Sequence, residues 1–165
     1  MTELSRHEPR IRRAMAADAA SLGRLGALLV QEHHDFDTKR FLAATMSTPE
    51  LYASFLVAQM NDSHVVVLVA EHDSHVIGYA YGRIEGYDYM ALRGPAAVLH
   101  DLIVDAAYRG RGVGRALLNG MVTALTTGRA PRVVLSTAER NTSAQRFFER
   151  MGFRRTMVEM TRELE

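Results

Sequence analysis

The sequence predicts a mixed α/β (α+β) fold, a mixed central β-sheet with helices on both faces. Three observations carry that expectation. The hydrophobic period changes along the chain, from helical spacing in its first third to β-branched runs further on. The elements then follow the order β-α-α-β-β-β-α-β-α-β, which needs helices on both faces of one sheet. The 165 residues are 47 % hydrophobic and 24 % charged, enough for one ordinary core. No repeat, low-complexity tract or Pro/Gly/Ser linker divides them, so residues 1–165 read as a single domain.

Each element has a local reason. Residues 11–15 read as a short first strand. Asp18 is placed to cap a helix, in which Leu22, Leu25, Leu28 and Leu29 recur at helical spacing. "HHDFDTKR" breaks that pattern as a polar loop. Residues 41–60 read as helical, interrupted near Pro49. "HVVVLVAE" is β-branched and apolar on both faces, as in a strand covered on two sides. "HDSH" is a turn, and "VIGYAYGRIEGYDY" alternates small residues with Tyr79 and Tyr81 as the return strand of a hairpin. "AAVLHDLIVD" is a third strand of this run. A helix follows to about Thr127, then "RVVLSTA" as another strand. Asn141 caps a helix whose Ala144, Phe147, Phe148 and Met151 share a face, and Gly152 ends it. "FRRTMVEMTREL" is expected to close the chain as a strand.

Composition excludes several functions. The net charge of +1 supplies no field to attract nucleic acid, so no nucleic-acid partner is expected. Cysteine is absent, which removes disulfides and thiolate chemistry. "MTELSRHEPRIRRAM" lacks the apolar core of a signal peptide, and no stretch has the length of a membrane span. A cytoplasmic protein with no membrane partner is the expectation.

"YRGRGVGRALL", residues 108–118, raises the chemical question. Its glycines lie between a strand and a helix. A helix start offers backbone N–H groups without internal partners and the positive end of the macrodipole. Glycines let that backbone approach a phosphate closely, and Arg109, Arg111 and Arg115 can add charge-assisted hydrogen bonds. The stretch therefore reads as a pyrophosphate cradle, with a solvated glycine turn as the plain alternative. It is not a P-loop, because no Lys-Ser/Thr pair follows it. Nor is it the dinucleotide fingerprint, because the spacing is G-x-G-x-G and several elements precede it.

The stretch resembles the acetyl-coenzyme A (acetyl-CoA) signature of the GNAT superfamily of N-acetyltransferases, with Arg109, Gly112 and Gly114 at its fixed positions. The preceding "VLHDLIVDAAY" looks like that family's central strand, and "RALLNGMVTAL" like its main helix. "NTSAQRFFERMGF" is similar to its N-x-x-A-x-x-x-Y/F-x-x-x-G-F segment. The resemblance implies a GNAT-like sheet with splayed central strands. It implies an enzyme that moves an acetyl group from acetyl-CoA to a primary amine, by direct attack in a ternary complex. Residues Arg109, Gly110, Arg111, Gly112, Val113, Gly114 and Arg115 would hold the pyrophosphate. The backbone of Leu102, Ile103 and Val104 would pair with the pantetheine amides, as a peptide adds to a sheet edge. Asn141, Ala144 and Phe147 would border the cofactor. The plain alternative for Asn141 is a helix cap, and for Leu102, Ile103, Val104, Ala144 and Phe147 it is core packing.

One position departs from the family pattern. Many members carry a Tyr where this chain has Phe148, and a phenyl ring has no proton for the departing thiolate. Tyr79, Tyr81, Tyr87, Tyr89 and Tyr108 are nearby alternatives. The same departure sustains a second reading, a non-catalytic acyl-CoA binding or sensor module.

Amine attack on a thioester needs a base to take the ammonium proton. His100 is the first candidate, on the central strand and, by strict alternation, on the face of Leu102 and Val104. An imidazole titrates near about 6.5, which suits that task; a structural histidine is the alternative. Glu85 is the second candidate base, and Asp101 is expected on the opposite face. The loop containing His33, His34 and Asp35, with Tyr87 opposite, is expected to wall the acceptor site. Adjacent residues rarely converge on one ion, so no metal is expected there. The acceptor would be a small-molecule or peptide amine. Exposed sheet edges make a homodimer plausible.

Overall fold

Ladder hydrogen bonds between the β-branched runs build one five-stranded sheet in the computed structural model, which describes residues 8–127 and 130–164. The strands are β1 (Arg10–Arg13), β2 (Val65–His72), β3 (His75–Glu85), β4 (Ala96–Val104) and β5 (Val133–Leu135). They lie in chain order, β1-β2-β3-β4-β5. The first four pair antiparallel, and β4 pairs parallel with β5. Helices α1 (Ala19–Phe36), α2 (Thr48–Gln59), α3 (Val113–Thr126) and α4 (Thr142–Arg150) complete the fold. The mixed sheet with helices on both faces is as the sequence predicts.

Each face has its own core. On one, Leu117, Leu118, Met121 and Leu125 of α3 pack against Val66, Leu68, Ala80 and Leu99. On the other, Leu22 and Leu25 of α1 and Leu56 of α2 pack against Val67, Val69, Tyr79 and Ile103. Burying each such aliphatic side chain contributes about 1.5–3 kcal/mol. The β2–β3 turn is tight, with Asp73 and Ser74 both at positive φ (47° and 62°), as "HDSH" predicts.

Helices α1 and α2 meet at glycine. A Cβ on Gly26 would stand 2.2 Å from Cδ1 of the Tyr52 ring. That ring is also held through its hydroxyl by Asp101, so it cannot swing aside freely. Gly26→Ala gains about 1 kcal/mol of helix propensity but forces an overlap costing roughly 1–3 kcal/mol. The overlap wins, and a thermal melt is expected to fall by several degrees; an unchanged or raised Tm would contradict the close packing.

Four local expectations are corrected. "HHDF" is not loop: α1 runs through Phe36. Two of its final carbonyls find donors from outside the helix, His33 O from Asp37 N (3.2 Å) and Phe36 O from Arg140 (3.0 Å), which is what a helix end requires. Pro49 does not interrupt a helix spanning residues 41–60. It stands in the first turn of α2 and opens it. Asp18 makes no side-chain cap. Its carboxylate accepts from Met15 N (2.8 Å) and from both Arg12 amino groups (2.8 and 2.9 Å), and these donors hold its pKa below the usual carboxylate range. Residues 153–164 form no strand. Met157, Val158, Met160 and Leu164 are all exposed, so no apolar face of this segment is buried against the sheet to set a strand register.

Candidate active site

The opening in the sheet is made by unequal strand lengths. The β4–β5 ladder holds only Ala97↔Val133, Val98↔Val134 and Leu99↔Leu135. Beyond it β4 continues to Val104 while β5 has ended. The β5-side edge of residues 100–104 therefore has no strand partner among the described residues. Leu102 and Val104 pack on the α3 face, and Ile103 on the α1 face.

The glycine loop lies at the end of that edge. Asp105 Oδ1 accepts from Ala107 N (3.2 Å) and closes one helical turn. Gly110 and Gly112 then take φ values of 73° and 84°. This left-handed conformation costs an L-residue about 1–2 kcal/mol, and it turns the chain sharply into α3, with Gly112 as its first flanking residue. No heavy atom lies within 4 Å of where a Cβ on either glycine would stand. The N–H groups of Val113, Gly114 and Arg115 open the helix and have no partner four residues back within it. A Cβ on Gly114 would lie 3.8 Å from both Val104 Cγ2 and Phe147 Cζ. Strand β4, the start of α3 and helix α4 thus meet at one place.

The structure separates the three arginines. Arg109 donates from Nε to Val104 O (2.8 Å) and pairs with Glu32 of α1. Its guanidinium is committed to tying α1 to the loop. Arg111 and Arg115 are exposed, with Arg111 over the Tyr108 ring (5.7 Å). Asn141 caps α4, its Oδ1 accepting from Ala144 N (3.1 Å), which leaves its amide N–H₂ to donate elsewhere. Phe148 is part of an aromatic cluster with Phe147 and Phe153.

A bulge rearranges the expected faces of β4. Tyr81 pairs with Asp101, but Gly82 pairs with Leu99, so His100 is the extra residue. Such a residue is re-aimed out of strict alternation. His100 is not on the face of Leu102 and Val104. Its ring stacks on Tyr81 (5.2 Å between centroids, 26° between planes), on the α1–α2 side. Its Nε2 lies 3.2 Å from Glu85 Oε1. A carboxylate accepts from N–H, which leaves Nδ1 as the nitrogen able to take a proton. The other Glu85 oxygen is engaged by Arg93. Both Glu85 oxygens are therefore engaged, one by His100 and one by Arg93.

Asp101 faces the same side and is 8 % exposed. Its Oδ2 accepts from Tyr52 (2.8 Å) and Tyr79 (2.9 Å). Burial raises its pKa, opposed by the two phenol donors and by the charges that His100 and His33 can carry. Burial and the nearby carboxylate also raise the pKa of both phenols.

The expected acceptor residues make mainly local contacts. His33 sits edge-on to Phe36 and Phe41. His34 donates from Nδ1 to Phe41 O (2.9 Å), and Asp35 accepts from Gln31 (2.8 Å). Tyr87 stacks on Tyr89, both exposed. No group of three or more His, Cys, Asp or Glu among the described residues is placed to hold a metal ion. No described helix is long and apolar enough to cross a membrane. Sequence reasoning missed Tyr52, and it missed that Glu32 pairs with Arg109 and Arg93 with Glu85. Tyr52 lies in an apolar run with only its hydroxyl to signal a role.

A mixed sheet opened beside a glycine loop at a helix start is the architecture of the GNAT acetyltransferases. The model of the acetyltransferase (GNAT) family matches residues 28–153, and the chain belongs to that family. It is an N-acetyltransferase, of a family that uses acetyl-CoA. An uncharacterised N-acetyltransferase of Mycobacterium bovis is 30 % identical over 117 residues, covering 64 % of this chain and 69 % of the relative. The fold is shared with a tetramutant of the BH1408 protein from Bacillus halodurans (TM-score 0.82, 22 % identity, 94 % of this chain and 99 % of that one). It is also shared with aminoglycoside N-acetyltransferase AAC(6')-Iy in complex with CoA (TM-score 0.74, 19 % identity, 98 % of each chain).

Proposed function

We propose that this enzyme transfers the acetyl group of acetyl-CoA directly to a primary amine, both substrates being bound together. The observation that carries the reading is the unpaired β4 edge that runs into the open glycine loop, with a histidine carried on that same strand at a bulge. The chain's donors fit an acetyl-CoA molecule. The amides of residues 110–115, with Arg111 and Arg115, would take its diphosphate. The backbone of Leu102, Ile103 and Val104 would take its pantetheine amides, and Asn141, Ala144 and Phe147 would border that arm. When bound, it supplies an activated thioester.

The remaining work falls to the protein. Glu85 holds His100 Nε2–H, so Nδ1 accepts the proton of the incoming ammonium, directly or through one water. Arg93 holds Glu85 in turn. An N–H on the free β4 edge can polarise the thioester carbonyl. Phe148 has no proton to give, and water serves the departing thiol in this reading.

Incubating the protein with acetyl-CoA and a panel of primary amines, and following free thiol, is expected to reveal turnover above the hydrolysis background. Saturable CoA binding with no turnover on any amine would overturn the direct-transfer reading.

A further inference from the structure

The buried carboxylate of Asp101 is half used. Its Oδ2 takes both phenol hydrogen bonds, from Tyr52 and Tyr79, while Oδ1 receives none and no cation pairs with the group among the described residues. Oδ1 is not sealed in either. Among the described residues, the enclosed side-chain polar atom left without a partner is Arg83 Nε. A carboxylate this far from bulk water is costly unless a positive group reaches it.

An apolar cavity of about 320 Å³ lies against Tyr52, one of the two phenols that hold this carboxylate, with Val30, Leu42, Leu51 and Phe55 among its other walls. Two side chains join the cavity to β4. Tyr52 lines it and reaches Asp101 through its hydroxyl. Phe55 lines it and meets the Tyr81 ring edge-on (5.9 Å), and Tyr81 in turn stacks on His100. Leu42 and Leu51 are 85 % and 65 % exposed, apolar surface that an apolar ligand would cover.

We infer that Asp101 Oδ1 receives the ammonium of the acceptor and that the cavity beside Tyr52 receives its body, so that the acceptor class is a primary amine carrying an aryl or bulky alkyl group. The inference rests on the transferase reading above. The charge selects the cation, the cavity selects the apolar body, and the sequence neighbour of Asp101 is the residue assigned to take the proton. Tyr52 and Tyr79 fix the carboxylate so that its free oxygen points one way, which spares the bound state an ordering cost.

The test compares two probes of one shape, phenethylamine and O-benzylhydroxylamine. At neutral pH the first is a cation, and the second stays uncharged. The wild-type enzyme is expected to show a KM at least about tenfold lower for phenethylamine, the scale of one hydrogen bond to a charged group. Asp101→Asn keeps an oxygen for both phenols. It is expected to raise the phenethylamine KM about 30-fold, to leave that of O-benzylhydroxylamine within threefold, and to leave CoA affinity unchanged. A purely structural role would move both KM values together, and that result overturns the inference. If the variant does not fold, the wild-type KM ratio decides, and a ratio near one overturns it. If CoA binds and other amines react while neither probe does, this acceptor class is wrong and the transferase reading stands. If CoA does not bind, both fall.

Discussion

Gly112→Glu is expected to remove measurable CoA binding, raising Kd by roughly 10²–10³-fold, as about 3–4 kcal/mol would. Two effects add. At φ 84° any side chain strains the backbone by about 1–2 kcal/mol. The carboxylate also enters the open space over the loop and meets the start of α3. There it would take the unpaired N–H groups and the positive dipole end for itself, and repel a diphosphate. Gly112→Asn separates the two, since Asn tolerates left-handed backbone and brings no charge; its Kd should stay within about tenfold. Calorimetry at neutral pH reads both. Wild-type affinity in the glutamate variant would remove this loop from the site.

His100→Ala is expected to lower kcat by about 10²–10³-fold, within the range of a positioned general base, with CoA affinity unchanged. The ring touches Tyr81 and Glu85, neither of which belongs to the glycine loop or the free β4 edge. It is 38 % exposed, so its loss should leave folding nearly intact. Thiol release under saturating acetyl-CoA, with calorimetry on the same preparation, gives both quantities. Unchanged turnover would clear His100 of the base role and leave Asp101 as the titratable group nearest the opening.

Much of the fold was legible because its signals are local. The valine run of β2, the small–large alternation of β3 and the leucine spacing of α1 each name one element. Gly110 and Gly112 announced backbone that only glycine takes at no cost, at a strand-to-helix turn. The errors have local causes too. "HHDF" is polar, so it resembled loop, but the last turn of a helix tolerates polar residues, and Arg140, 104 positions away, helps to satisfy its final carbonyl. Pro49 resembled an interruption and is a helix start, because proline suits the first turn, where no N–H is needed.

The site was legible in part. Side-chain direction on β4 was assigned by strict alternation, and one extra residue in the ladder undid it. A bulge has no reliable composition of its own; it arises where two strands pair, and the pairing is not written in either strand alone. The same limit hid Tyr52. Its ring meets Gly26 and its hydroxyl meets Asp101 only after α2 has packed on α1.

Residue chemistry along the chain was therefore enough for the class of sheet and for the glycine turn that leads from strand to helix, since each depends on neighbours within a few positions. Long-range packing assigned the partners: Glu85 to His100, Glu32 to Arg109, and two phenols to Asp101. Those contacts join residues 15 to 77 positions apart. Their geometry follows from strand register and helix docking, which sequence spacing does not encode.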